Sequence, residues 1–184
     1  MGGSASIAEI KKEEFKDVAL RAHNKYRLNH NSPPLKYSKD LSMFAQNHAL
    51  YLRAKTKLHR SGRYCQGEFV GENIAEKYLP SSVKEYGGEE VTKDWYDEIE
   101  QYSFFEGDPP TAMKNKCRNF TQLIWKETTE VGFGIAVKGR RAIIVACYKP
   151  TGNLKGKYAE NVLPEIIKPP DRRFSKCLEP HVEE

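Results

Sequence analysis

The absences in this sequence narrow its reading before any motif does. No window approaches the ~20 consecutive apolar residues that a membrane-spanning helix needs. The opening MGGSASIAEIKKEEF lacks the apolar stretch of about 7–15 residues that marks a secretory signal, so it reads as no signal peptide. Cysteine is sparse and scattered (Cys65, Cys117, Cys147, Cys177), with no CxxC pair and no zinc-finger spacing. Without a signal, the four read as reduced thiols of a cytosolic chain rather than as a disulfide framework. The G-x-S-x-G elbow, the P-loop, H-E-x-x-H and the dinucleotide fingerprint are all missing, so no nucleophile or nucleotide motif supports an enzyme. Charge of one sign is also scarce. Lys plus Arg is 30 against 25 for Asp plus Glu, a formal +5. That excess permits attraction to an anionic membrane surface and is too mild to argue for nucleic acid.

What is present suits one domain. At 184 residues and 39% hydrophobic, the chain is long enough to bury a core. Residues 1–8 read as a leader, 9–168 as the domain and 169–184 as a polar, proline-bearing tail. Gly2 after Met1, with Ser6 four places on, matches the N-myristoylation pattern. One acyl chain gives marginal, reversible membrane binding, on the order of 10⁴ M⁻¹. Lys11 and Lys12 add attraction to anionic lipid.

Periodicity predicts a first helix over Glu9 to His30, with Phe15, Val18, Ala19, Ala22 and Tyr26 on its apolar face, ended by NSPPL. Ser38 caps a second, striped by Leu41, Phe44, Ala45, His48, Ala49 and Leu52, on which His48 reads as a hydrogen-bonded core histidine. Val91, Trp95 and Ile99 mark a third, over Glu89 to Gln101. Residues 101–116 read as a loop, and KCRNFTQLIWKET as a short fourth helix. EVGFGIAVKG and RRAIIVACYKP form a hairpin about Lys138-Gly139-Arg140. Helices first and a hairpin late predict an α+β domain.

Three residues stand where chemistry is conceivable. His59 lies in a glycine-rich loop, Glu72 sits between Gly71 and Asn73, and Glu98 borders the apolar face of the third helix. A histidine and two carboxylates form a metal or general acid/base set. Each taken alone is more often a solvated surface group.

Six stretches in order, HNKYR, GENIA, DWYDEI, FTQLIWKET, GFGIAV and CYKPTGN, resemble the CAP superfamily of cysteine-rich secretory, antigen 5 and pathogenesis-related proteins, over about residues 8 to 165. The M-G-x-S-A-S start, the missing signal and the ENVLP ending are most similar to its non-secreted, Golgi-associated branch. The resemblance implies a three-layer α-β-α sandwich with a small antiparallel sheet and a surface cleft. In the family that cleft holds a His-Glu-Glu-His tetrad, whose histidines bind zinc or another divalent ion in some members. The resemblance places His59, Glu72 and Glu98 at the first three positions and Asn119 at the last. An amide is a weak ligand for zinc, which favours imidazole and thiolate. The expectation is therefore weak or absent zinc at His59, no required cofactor, and donors suited to a harder ion such as Mg²⁺ or Ca²⁺. Asn119-Phe120-Thr121 also spells a glycosylation sequon, accidental in a cytosolic chain.

The family further implies lipid handling: sterol at an aromatic loop, fatty acid between helices, anionic membranes and dimers. The matching loop here offers Tyr102, Phe104 and Phe105. The resulting expectation is a non-catalytic, membrane-associated protein. It would bind lipid (sterol, fatty acid or anionic phospholipid) or a protein partner at the cytosolic face of Golgi-like membranes, with Gly2 as anchor. The alternatives are a metal-dependent or carboxylate-based hydrolase using Glu72, Glu98 and His59, and a dimeric scaffold.

Overall fold

The computed structural model describes residues 7–65, 67–79, 86–104 and 107–166, with side chains from residue 14 onward. The expectations for Gly2, Phe105, Cys177 and the tail from 169 lie outside the described residues.

Among the described residues there are five α-helices and six strands. Helix α1 runs Ile7–Asn29, α2 Lys39–Arg53, α3 Gly88–Tyr96, α4 Thr111–Ile124 and α5 Tyr158–Asn161. The strands are β1 Lys36–Tyr37, β2 Tyr64–Cys65, β3 Glu68–Phe69, β4 Gly71–Tyr78, β5 Glu130–Lys138 and β6 Arg141–Lys149. Ser38 caps α2 as expected, accepting the Leu41 N–H from an extended backbone.

The main sheet has the order β1-β5-β6-β4. Strands β5 and β6 pair antiparallel about a two-residue turn whose first residue, Gly139, takes φ +59°. Strand β4 extends the sheet antiparallel, from Gly71 opposite Tyr148 to Tyr78 opposite Arg141. The expectation of an antiparallel sheet needs one correction, because β1 runs parallel to β5. Its two residues arrive by way of α1, and a pairing that short leaves no alternation to read.

Strand β6 is buried on both faces, so it reads as the near-continuous apolar run AIIVACY. Ile144, Ala146 and Tyr148 enter the core formed with α1, α3 and α4, while Ile143, Val145 and Cys147 meet α2. That two-sided burial makes the three layers. Gly132 and Gly134, two apart on β5, let α2 sit directly on the sheet. A Cβ at Gly132 would come within 2.2 Å of the Ser42 nitrogen, and one at Gly134 within 2.3 Å of the Ala45 carbonyl carbon.

Two helix boundaries differ from the sequence reading. The third helix stops at Tyr96, and Asp97–Gln101 continues as a 3₁₀ turn. Each 3₁₀ residue advances about 120° rather than about 100°, which swings Glu98 round toward α4. The fourth helix begins at Thr111, immediately after Pro109-Pro110, so TAMKNK is helix rather than loop. Its first turns are largely exposed, which hides the period, although Ala, Met and Lys are good helix formers. Among the described residues no helix is long and apolar enough to cross a membrane. Cys65, Cys117 and Cys147 are free thiols.

Candidate functional site

Strand β4, the 3₁₀ turn and α4 bring Glu72, Glu98 and Asn119 into one cluster, and the segment leading to β2 closes it. Glu72 is buried and accepts two bonds from Ser61, the backbone N–H at 2.6 Å and the hydroxyl at 2.5 Å. Glu98 accepts three. The Asn119 and Phe120 N–H groups reach Oε2 at 2.9 and 3.1 Å, and the Asn119 side-chain amide reaches Oε1 at 2.7 Å. Burial pushes the Glu98 carboxyl above the usual range, while these bonds and the nearby Arg60 charge pull it back.

His59 does not join them, which corrects its expected place in the cluster. Its side chain is turned onto α2, edge to Tyr51 at 5.5 Å and to His48 at 5.9 Å between centroids. His48 is hydrogen-bonded as expected, its Nε2 donating to the His59 carbonyl at 3.0 Å. The residue that faces the cluster is Arg60. Its Nη2 donates to Asn119 Oδ1 at 3.4 Å, and its charge is felt by both Glu72 and Glu98. Burial, and then the neighbouring Arg118, lower its pKa. Arg60 and Ser61 are the two members the sequence reading missed. No period could have found them: the segment is neither helix nor strand, and the adjacent Arg60 and Ser61 both turn to the cluster.

Beneath the cluster runs a buried polar chain. Asn73 donates from Nδ2 to the Asn119 carbonyl at 2.9 Å and to the Tyr148 hydroxyl at 3.1 Å. Tyr148 in turn bonds His23 Nε2 at 2.8 Å, and His23 Nδ1 donates to the Ala19 carbonyl at 2.7 Å. With Nδ1 carrying the proton, Nε2 is the acceptor. Complete burial holds His23 neutral, its pKa lowered to about 3. HNKYR and CYKPTGN, distant in sequence, meet here.

The residues present do not fit zinc. One imidazole expected as a ligand packs on Tyr51, the other position is Asn119, and a guanidinium stands beside both carboxylates. Among the described residues no three His, Cys, Asp or Glu side chains are grouped to hold an ion. A cavity of about 180 Å³ lies against α2, lined by Phe44, Asn47, His48, Tyr51, His59, Ser61 and Arg63, and it shares Ser61 with the cluster.

The aromatic loop divides. Tyr102 is buried in the core beside Phe120, correcting its expected role as a ligand contact. Phe104 is 39% exposed and rests on Tyr102, His30 and Phe120, with centroids 5.1, 6.3 and 6.4 Å away.

Residues 20–148 match the model of the CAP, cysteine-rich secretory protein family. The chain is 35% identical over 167 residues to human "Golgi-associated plant pathogenesis-related protein 1", covering 89% of this chain and 98% of that protein. It is 32% identical over 155 residues to Protein PRY2 of Saccharomyces cerevisiae, covering 82% of this chain and 42% of that one. Its fold resembles the crystal structure of NaASP2 with Zn2+, with a TM-score of 0.65 at 20% identity, covering 83% of this chain and 86% of that one.

Proposed function

This chain belongs to the CAP family, and from that premise we propose that it is a non-catalytic lipid-binding protein acting at an intracellular, Golgi-like membrane. The observation that carries the reading is Phe104, a large ring left 39% exposed on an aromatic bed of Tyr102, Phe120 and His30. Apolar surface presented that way suits a flat apolar ligand such as a sterol, or the acyl region of a membrane. The +5 charge favours anionic headgroups. The human relative's name, which places it at the Golgi, supports the location.

The hydrolase alternative is weakened by the carboxylates themselves. Glu72 is held by two donors and Glu98 by three, with Arg60 beside them, so both carboxylates are engaged in bonds that fix the fold.

The test is binding of a fluorescent sterol, and of phosphatidylserine vesicles, by the full chain and by Phe104→Ala. The expected result is at least a fivefold weaker sterol affinity for the variant with an unchanged unfolding midpoint. Equal affinity would remove the loop from the account. Vesicle binding after N-myristoyltransferase treatment, with and without Gly2→Ala, tests the anchor; equal binding would dispose of it. A dimer that binds no lipid would favour the scaffold.

A further inference from the structure

The cluster around Glu98 holds two carboxylates in a family cleft without the imidazoles that would recruit a metal. Something must offset their charge, and the structure supplies it from the chain. Arg60 is half-buried, reaches Asn119 Oδ1 with Nη2, and acts on Glu72 and Glu98 at once. It does so through space, since the close contacts of both carboxylates are with neutral donors of Ser61, Asn119 and Phe120.

We propose that Arg60 is the built-in cation of this cleft, standing in the electrostatic place of a divalent ion, and that residue 60 decides whether the site takes metal. Three observations carry this. First, a guanidinium remains charged at any physiological pH and cannot ligate, so a dication entering here meets a fixed positive charge. Arg118, close enough to depress Arg60, adds to that repulsion. Second, the carboxylate lone pairs are partly occupied: Glu72 already accepts from the Ser61 N–H and hydroxyl, and Glu98 from three N–H donors, which leaves a metal fewer acceptor sites. Third, the neighbouring imidazole is not in reserve. His59 is packed against Tyr51 and His48 on α2, away from both carboxylates. Nothing in this depends on lipid binding, so failure of either reading leaves the other standing.

The experiment is equilibrium dialysis against zinc for the parent chain, Arg60→His and Arg60→His/Asn119→His. The single variant places one imidazole between two carboxylates, and the double variant places two. The parent is expected to retain no stoichiometric zinc. Affinity should rise at least tenfold in the single variant and at least a hundredfold in the double. Stoichiometric zinc on the parent, lost in Glu98→Gln, would overturn the proposal. So would a folded double variant that binds no better than the parent. Should the double variant not fold, Arg60→His alone decides, because no gain there removes residue 60 as the determinant. Amide resonances of Ser61 and Asn119 in the parent give a readout that needs no variant: zinc-dependent shifts at both would contradict the proposal, and their absence supports it.

Discussion

Asn119 donates both its backbone N–H and its side-chain amide to one carboxylate, that of Glu98, at 2.9 and 2.7 Å. The family resemblance makes a histidine the expectation at this position; here Asn119 clamps the 3₁₀ turn to α4. The amide nitrogen of the N-x-T sequence is thereby bonded to Glu98 in the fold. Removing the side-chain donor with Asn119→Ala leaves a partly buried charge short of a partner, at an expected loss of about 1–3 kcal/mol. Asn119→Asp is expected to cost more at pH 7, because two carboxylates then face each other. Urea unfolding of the three proteins at neutral pH checks the order.

A pH dependence follows from His23. Its folded pKa, about 3, lies below the ordinary 6.5 because burial excludes the charged form. A lowered base pKa means that the unfolded chain takes the proton first. Its contribution is therefore fully present above about pH 6.5 and is lost as pH falls toward 3, at about 1.4 kcal/mol per pH unit for this group. His30, also lowered by burial, acts in the same direction. Stability measured from pH 7 to 4 should fall, and His23→Gln should flatten part of that slope. An unchanged slope would mean that His23 is not the group responsible.

Arg27 is the largest fully buried polar side chain among the described residues. It is fully buried and donates to four carbonyls: Pro33 at 2.8 Å, Leu123 at 3.0 Å, Trp125 at 2.8 Å and Thr128 at 2.8 Å. Lysine cannot reproduce the planar fork. Arg27→Lys is expected to destabilise by at least about 3 kcal/mol, since several buried acceptors lose their donors together. Chemical denaturation reads this directly, and a loss under about 1 kcal/mol would show the fork to be replaceable.

Gly132→Ala tests the layer spacing. The added methyl meets α2 backbone rather than a movable side-chain end. A cost at or above the usual overpacking range of about 1–3 kcal/mol is expected. Gly107→Ala, where nothing stands within 4 Å, is the matched control and should be near neutral. Thermal unfolding of both variants separates the two cases.

The parts of this fold legible in the sequence are those with a period. The stripes of α1 and α2 predicted those helices within a few residues, and the apolar runs of β5 and β6 predicted their hairpin. Strand β1 was not legible, because a two-residue parallel pairing is decided by where α1 delivers the chain. The break after Tyr96 was hidden too, since Val91, Trp95 and Ile99 keep helical spacing across it. At the site, Glu72, Glu98 and Asn119 do converge, whereas His59, expected there from its residue type and from the family resemblance, lies on α2 and Arg60 bonds Asn119 instead. The loop aromatics show the same limit. Composition cannot separate Tyr102, which packs on Phe120, from Phe104, which remains partly in solvent.

The central claim is that Arg60 supplies the positive charge of this cleft, and the Glu98 carboxyl resonance reports it most directly. A ¹³C NMR titration of the parent chain should place Glu98 above the ordinary glutamate value of about 4.3, as its burial requires. In Arg60→Gln the Glu98 pKa should rise further, because the charge that favours its ionised form is gone. A Glu98 pKa unmoved by that substitution would contradict the account.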